Sequence, residues 1–156
     1  MTSLSVGDTA PDFTLPADGG GEISLRDSLK QGPVVLYFYP RDDTPGCTTE
    51  AIDFSRLAPD FRKAKATVLG CSRDTVAKHD KFVAKHDLAV RLVSDTDGKV
   101  CEAYGVWVEK SMYGRTSMGI QRATFLIGTD GRIKALWPKV KVAGHADEVL
   151  AALREG

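Results

Sequence analysis

The run of apolar residues from Pro33 to Tyr39 constrains the fold of this chain more than any other segment. It is rich in β-branched and aromatic residues, and Gly32 and Pro40 bound it. A strand that is apolar on both faces must be covered on both faces, as the central strand of an α/β sheet is. The run is also far shorter than the roughly 20 residues that a membrane helix needs. We therefore expect a layered α/β domain built around this strand.

The patterns on either side of this strand predict alternating strands and helices. Two short alternating runs around the glycine-rich segment 17–21 predict an N-terminal β-hairpin. The other predicted elements are strands at 67–71, 91–93, 123–127 and 132–137, and helices at 47–65, 75–87, 97–104 and 143–154. Pro59 should break or kink the first of these helices near Ala58, and segment 105–121 shows little periodicity. The alternation predicts a parallel central portion and the late hairpin predicts antiparallel edges, so we expect a mixed sheet flanked by helices.

Composition excludes several classes of protein. The 156 residues fit a single domain spanning residues 1–156. Lys plus Arg number 21 and Asp plus Glu number 21, so the formal charge is zero and neither nucleic acid nor an anionic membrane is an expected partner. The first residues have no basic patch followed by an apolar stretch, so no secretory signal is expected.

The cysteines and histidines indicate neither a disulfide framework nor a metal site. Three cysteines, far apart and without a C-x-x-C pair, are typical of a reducing compartment, and we expect a cytoplasmic protein. The histidines lack the spacing of metal ligands and are expected to be solvated helix residues. These six residues are Cys47, Cys71, Cys101, His79, His86 and His145.

The segment from Tyr39 to Glu50 is the most informative part of the chain, because ligands of open α/β sheets gather beyond the carboxyl ends of the strands. Thr44 is a candidate N-cap and Pro45 then takes the first helical position, which it favours. Cys47 falls in the first turn, where unpaired N–H groups and the helix dipole favour a thiolate over a thiol. The thiolate is the nucleophilic form of cysteine.

Nearby acidic residues oppose this ionisation. Asp42, Asp43 and Glu50 surround Cys47 in the sequence, and like charges disfavour a thiolate. A cation must therefore approach the sulfur, and the candidates are Arg41 and Arg122. The alternative interpretation is that Cys47 is a small buried apolar residue, as many free cysteines are.

The motif Pro40-x-x-x-Thr44-x-x-Cys47, with Arg122 far downstream, resembles the active-site pattern of the peroxiredoxins. The chain is most similar to the bacterioferritin-comigratory, or PrxQ, subfamily. The matching segments are 37–40, 43–50, Gly7 to Phe13, Asp97 to Val100, Tyr104 to Val106 and Arg122 to Phe125. The resemblance implies a thioredoxin-like fold, reduction of hydrogen peroxide or organic hydroperoxides, and no metal, haem or flavin cofactor.

The resemblance also implies a role for each residue of the motif. Cys47 would be the peroxidatic cysteine, which attacks the peroxide and becomes a sulfenic acid. Thr44 would place its hydroxyl between thiolate and peroxide, and Pro40 would cover the site. Arg122 would hold the thiolate and polarise the peroxide, while the backbone N–H groups of Gly46 and Cys47 would stabilise charge on oxygen. The alternatives are that Pro40 and Thr44 only form a turn and that Arg122 is a surface charge.

The chain departs from its relatives at the second, resolving cysteine. Many relatives carry it five residues after the first, where this chain has Ile52, and others carry it in the next helix, where this chain has none. Cys71 is expected in the core and Cys101 in a structural position, although either remains a candidate to resolve the sulfenic acid. We expect a one-cysteine enzyme, a monomer, recycled by thioredoxin, glutaredoxin or a small thiol. The rival hypothesis is a redox sensor that passes the oxidation of Cys47 to a partner protein.

Overall fold

A computed structural model describes residues 2–156, and a mixed five-stranded sheet forms the centre of the molecule. The strands are β1 (Thr14–Pro16), β2 (Glu22–Ser24), β3 (Val34–Phe38), β4 (Thr67–Ser72), β5 (Arg91–Ser94), β6 (Trp107–Met112), β7 (Arg115–Ile120), β8 (Ala123–Ile127) and β9 (Ile133–Trp137). The helices are α1 (Leu25–Leu29), α2 (Pro45–Arg56), α3 (Ala58–Lys63), α4 (Val76–His86), α5 (Lys99–Ala103) and α6 (His145–Glu155). None of the helices formed by residues 2–156 has the length and apolar character of a membrane-spanning segment.

Strand β3 is the central strand, as its apolar run predicts. The order across the sheet is β5-β4-β3-β8-β9, in which β3 pairs with β4 in parallel and with β8 antiparallel. All five of its residues are buried. The register places Phe38, at the end of β3, opposite both Cys71 and Ala123, so the chain leaves β3 beside the end of β4 and the start of β8. The mixed sheet and the thioredoxin-like arrangement of strands and helices are confirmed.

The two faces of the sheet support separate cores, because successive side chains of a strand point to opposite faces. Leu36 and Phe38 pack on the face that also buries Cys71 and Cys101. Val35 and Tyr37 pack on the other face, which buries Cys47. The nucleophile candidate is therefore separated from the other two cysteines by the thickness of the sheet.

Most of the predicted elements are present, and the differences have local causes. The N-terminal hairpin is confirmed as β1 and β2. The predicted helix 47–65 is interrupted at Leu57, and Pro59 lies in the first turn of α3, where its missing N–H costs little. Thr75 caps α4, with its hydroxyl accepting the N–H of Lys78 at 3.3 Å.

Segment 105–121, which shows little periodicity, forms a β-hairpin of β6 and β7. Tyr113 and Gly114 connect the two strands, and both have positive φ angles, 53° and 74°. A two-residue loop with two positive φ angles twists with the strands that it joins, which is why it is favoured in hairpins. The hairpin forms a separate two-stranded sheet beside the carboxyl end of β3.

Candidate active site

Cys47 lies in the first turn of α2, directly after the loop that leaves β3. Thr44 is the N-cap, Pro45 is the first helical residue and Cys47 is the third. The Thr44 hydroxyl does not cap the helix, however, and instead donates to the carbonyl oxygen of Arg41 at 2.9 Å. Only 1% of Cys47 is exposed, so its sulfur lies at the unpaired N–H end of the helix with little contact to bulk water.

Arg122 supplies the cation that the sequence requires near Cys47. It precedes β8, whose register brings it alongside the loop after β3. Its Nη2 lies 3.3 Å from the sulfur of Cys47, and its Nη1 lies 2.6 Å from Oε1 of Glu50. Arg41, the other candidate, is exposed at the rim of the site and accepts the Thr44 hydroxyl through its backbone.

Gly46 allows the guanidinium to come this close. A methyl group added at Gly46 would lie 3.2 Å from Nη2 of Arg122, which is tighter than an ordinary carbon–nitrogen contact. Any larger residue at this position would push the guanidinium away from the first turn of α2. Gly46 thus has a steric reason to be a glycine, in addition to the backbone N–H that it presents.

Glu50 is a buried acid held by Arg122 on one side only. It is 1% exposed, and its Oε2 has no hydrogen-bond partner among residues 2–156. Burial raises the pKa of Glu50 to about 7, although the charge and hydrogen bond of Arg122 act in the opposite direction. Burial lowers the pKa of Arg122, but the charges of Glu50 and Cys47 outweigh it and raise that pKa overall. Arg122 therefore stays cationic while its carboxylate partner titrates near neutral pH.

The other two acids near Cys47 are paired with basic residues of α4. Asp42 accepts from His79 at 2.6 Å, and Asp43 accepts from Lys85 at 2.7 Å and from His86 at 2.9 Å. Hydrogen bonds from Lys85 and His86 lower the pKa of Asp43. The repulsion that the sequence predicts between these acids and a thiolate is therefore reduced by basic residues that lie about 40 residues further along the chain.

The prediction that the histidines are solvated is wrong for two of them. His79 is fully buried between α4 and the active-site loop, and His145 is 3% exposed, with its Nε2 2.8 Å from the hydroxyl of Thr124. Both lie on helix faces that a purely apolar pattern assigns to solvent, because imidazole can be buried when polar partners are present.

A groove of about 490 Å³ opens over Thr44. Pro40 lies at its rim, and Trp107, Lys110 and Met118 come from the β6–β7 hairpin that the sequence did not predict. The Lys110 ammonium donates to the carbonyl of Ile120 at 2.5 Å. Burial and then the charge of Arg122 lower the pKa of Lys110, because both disfavour its charged form.

Cys71 lies in the core, as predicted, and Cys101 lies beside it. Both are fully buried, and their sulfurs and a carboxylate oxygen of Asp95 are all within 4.8 Å of one another. Each oxygen of Asp95 already accepts a backbone N–H, from Val100 at 3.2 Å and from Cys101 at 2.7 Å. The carboxylate thus holds the first turn of α5. Burial raises the pKa of the Cys71 thiol well above its usual value, so this thiol stays protonated.

Comparison with known proteins identifies the family. Residues 6–136 match the AhpC/TSA family. The peroxiredoxin Bcp of Xanthomonas campestris is 52% identical over 143 residues, which is 92% of this chain and 89% of that protein. The peroxiredoxin Bcp of Bacillus subtilis is 44% identical over 153 residues, 98% and 97% of the two chains. The structure of a cysteine-to-serine variant of Xylella fastidiosa PrxQ superposes with a TM-score of 0.93 at 44% identity, covering 99% of this chain and 98% of the other. With this sequence similarity and this fold, the chain belongs to the AhpC/TSA family and is a thiol-dependent peroxidase of the Bcp, or PrxQ, type.

Proposed function

We propose that Cys47 is the peroxidatic cysteine of this enzyme and that Arg122 activates it. The observation that supports this most directly is the 3.3 Å contact between the guanidinium and the sulfur, at a helix N-terminus. Helix dipole and guanidinium both favour the thiolate, which is the form that attacks a peroxide.

The reaction is a two-electron displacement on oxygen. The Cys47 thiolate attacks the terminal oxygen of a hydroperoxide, a sulfur–oxygen bond forms and the oxygen–oxygen bond breaks. The cysteine becomes a sulfenic acid, and the peroxide is reduced to an alkoxide or hydroxide, which takes a proton from water and leaves as an alcohol or as water. The leaving oxygen gains negative charge, so fixed donors around it lower the barrier.

Four further residues supply those donors and the shape of the site. Arg122 directs Nη2 at the reacting sulfur, and the N–H groups of Gly46 and Cys47 point out of the first turn of α2. Thr44 lines the groove three residues before Cys47, and its hydrogen is donated to Arg41, so its oxygen lone pairs are available to accept from the peroxide O–H. Pro40 lines the same groove, where it would cover the site.

The substrate class is hydrogen peroxide and organic hydroperoxides. The groove over Thr44 combines an apolar wall of Trp107, Met118 and Ile120 with a volume of about 490 Å³, enough for an alkyl substituent. The X. campestris bacterioferritin comigratory protein, 48% identical to this chain, has alkyl peroxide reduction activity.

We further propose a one-cysteine cycle in which an external thiol, from thioredoxin, glutaredoxin or a small molecule, reduces the sulfenic acid. The first thiol forms a mixed disulfide with Cys47 and releases water, and a second thiol frees the cysteine. The placement of Cys71 and Cys101 in the opposite core supports this, as does Ile52, which is 44% exposed on α2 where relatives carry a cysteine. The protein would act as a cytoplasmic, single-domain monomer, and size-exclusion chromatography with light scattering would test its oligomeric state.

The Cys47→Ser variant tests the assignment. A serine hydroxyl has nearly the same size as the thiol but does not ionise near neutral pH, so peroxide consumption with dithiothreitol as reductant should be abolished. The circular dichroism spectrum should not change. Turnover at the wild-type rate by this variant would show that another residue is the nucleophile.

A further inference from the structure

A buried polar network ties the active-site loop to helix α4, and His79 is at its centre. Nδ1 of His79 lies 2.6 Å from Oδ2 of Asp42, and Nε2 lies 3.0 Å from the carbonyl oxygen of Val93. A carboxylate and a carbonyl can only accept, so both ring nitrogens must carry a hydrogen and the ring is an imidazolium. Burial by itself lowers the pKa of His79, but the hydrogen bond and charge of Asp42 outweigh it and raise that pKa, with smaller contributions from Val93 and Asp74.

Asp42 is fixed from three directions. Its Oδ2 accepts from His79, and its Oδ1 accepts from the hydroxyl of Tyr39 at 2.5 Å. Its backbone N–H donates to Oδ2 of Asp74 at 2.8 Å, and the same oxygen of Asp74 accepts from Ser72 at 2.7 Å. The side chain and the backbone of this one residue are thus both anchored to elements outside the loop.

The peptide plane between Arg41 and Asp42 transmits this anchoring to Thr44. The N–H of that plane is the one bound by Asp74, and its carbonyl, on Arg41, accepts the Thr44 hydroxyl at 2.9 Å. A peptide unit is planar, so fixing its N–H fixes the direction of its carbonyl. The hydrogen of the Thr44 hydroxyl therefore points towards Arg41, and its lone pairs are directed elsewhere.

We propose that His79 is a positioning residue for the peroxide reaction: it holds Asp42, and through the 41–42 peptide it keeps the Thr44 hydroxyl oriented as an acceptor for the hydroperoxide O–H. This inference rests on the role proposed for Thr44 above. It gives the fully buried imidazolium, which never touches the substrate, a function in the chemistry.

The test separates orientation from ionisation by measuring two reactions of Cys47. Second-order rate constants for hydrogen peroxide and for iodoacetamide are measured for wild type, His79→Gln, Thr44→Val and the double variant. The pH is one at which the alkylation rate of every variant has reached its plateau, so that loss of the His79 charge beside Asp42 does not change the thiolate fraction. Alkylation needs the thiolate but not an oriented Thr44, whereas peroxide reduction needs both. We expect His79→Gln to slow the peroxide reaction about tenfold or more, because small misplacements of reacting groups are costly, while alkylation is unchanged. In the Thr44→Val background, His79→Gln should cause no further loss.

Two further variants and one spectroscopic measurement control for general effects of changing α4 and for misfolding. Lys81→Gln changes an exposed residue of α4 and should alter neither rate. If His79→Gln fails to give the wild-type circular dichroism spectrum, Asp42→Asn breaks the same link from the loop side and should show the same selective loss. Nitrogen-15 NMR should show both ring nitrogens of His79 protonated at pH 7.

Three results would overturn the inference: equal loss of both rates, a full additional loss in the double variant, or a neutral His79 ring. Each of these leaves the proposed roles of Cys47, Arg122 and Thr44 standing. An unchanged peroxide rate in Thr44→Val alone would instead refute the proposed role of Thr44, and the inference about His79 with it.

Discussion

At the residue scale, the guanidinium of Arg122 contacts two acidic side chains at once. One nitrogen contacts the sulfur of Cys47 and another binds the buried carboxyl of Glu50, so Glu50 fixes the orientation of the guanidinium beside the sulfur. A bidentate arrangement of this kind depends on the planar fork of arginine, which lysine lacks. The shape and the charge of this side chain therefore both matter.

Replacing Arg122 with Met keeps much of the volume and removes the charge. The thiolate population of Cys47 should fall at neutral pH, and the pH profile of its alkylation should move to higher pH. The peroxide rate constant should fall by about 10²-fold, the usual cost of losing one preorganised donor, even at a pH where the thiolate is fully formed. The matched control is Arg56→Met, an exposed arginine of α2 that pairs with Asp147. If rate and pH profile both match the wild type, Arg122 does not act at the site.

The buried carboxyl of Glu50 should give the free energy of unfolding an unusual dependence on pH. Burial raises the pKa of this carboxyl from 4.5 to about 7, so between these values the folded protein binds a proton that the unfolded chain releases. The free energy of unfolding should therefore decrease as the pH rises through this window, by on the order of 3 kcal/mol for this group, and stay low above it. Glu50→Gln cannot titrate and should remove that decrease.

Urea unfolding at pH 5 and pH 7.5 measures this effect. The difference in unfolding free energy between the two pH values should be smaller in Glu50→Gln than in wild type. Glu102→Gln, at an exposed position of α5, should retain the wild-type difference. Equal differences in wild type and Glu50→Gln would mean that Glu50 is ionised throughout this range.

At the scale of elements, the central sheet separates the cysteines. Cys47 belongs to the core under α2, whereas Cys71 and Cys101 belong to the core on the opposite face. Cys47 lies on α2 and Cys101 on α5, while Cys71 lies on β4 with its side chain in the core of Cys101. A disulfide needs Cα atoms within about 7 Å, and the sheet lies between α2 and that core. Neither buried cysteine can reach Cys47 while the sheet is intact.

The Cys71→Ser/Cys101→Ser double variant should therefore keep most of its turnover with a small thiol or glutaredoxin as reductant. Intact-mass analysis of the wild type after one equivalent of peroxide should show the gain of one oxygen. Loss of two hydrogens instead, with a crosslink from Cys47 to Cys71 or Cys101 on peptide mapping, would mean an internal resolving cysteine. Excess peroxide should drive the unresolved sulfenic acid on to sulfinic acid.

The sequence predicts an element correctly where a local pattern of residues determines it. The prediction fails where the element depends on residues far away in the chain or on a turn that the pattern does not show. The β3 strand, the start of α2 and the place of Cys47 follow from a short segment in which apolar run, N-cap and proline agree. The β6–β7 hairpin does not follow from such a segment, because polar and apolar residues alternate irregularly along its strands. Its formation depends on the turn at Tyr113 and Gly114. The sequence therefore also did not predict that Lys110 and Met118 line the groove beside the site.

At the scale of the whole molecule, the site combines residues that are close together in the sequence with residues that only the fold brings near. The loop and the first turn of α2 are local, whereas Arg122, His79 and Lys85 come from segments that only the folded sheet brings near. The resemblance to the peroxiredoxins predicts that Arg122 lies at the site. No spacing in the chain predicts that His79 is buried against Asp42. Pairing between distant charges is the part of this site that required the three-dimensional structure.

The separation of 75 residues between Cys47 and Arg122 also has a consequence for biosynthesis. At about 5–20 residues per second, the ribosome makes the arginine roughly 4 to 15 seconds after the cysteine. The antiparallel pairing of β8 with β3 can form only after β8 has left the exit tunnel, and until then the nascent chain carries a thiol without its cation. On the role proposed for Arg122, the reactivity of Cys47 towards peroxides therefore arises only once β8 has paired with β3.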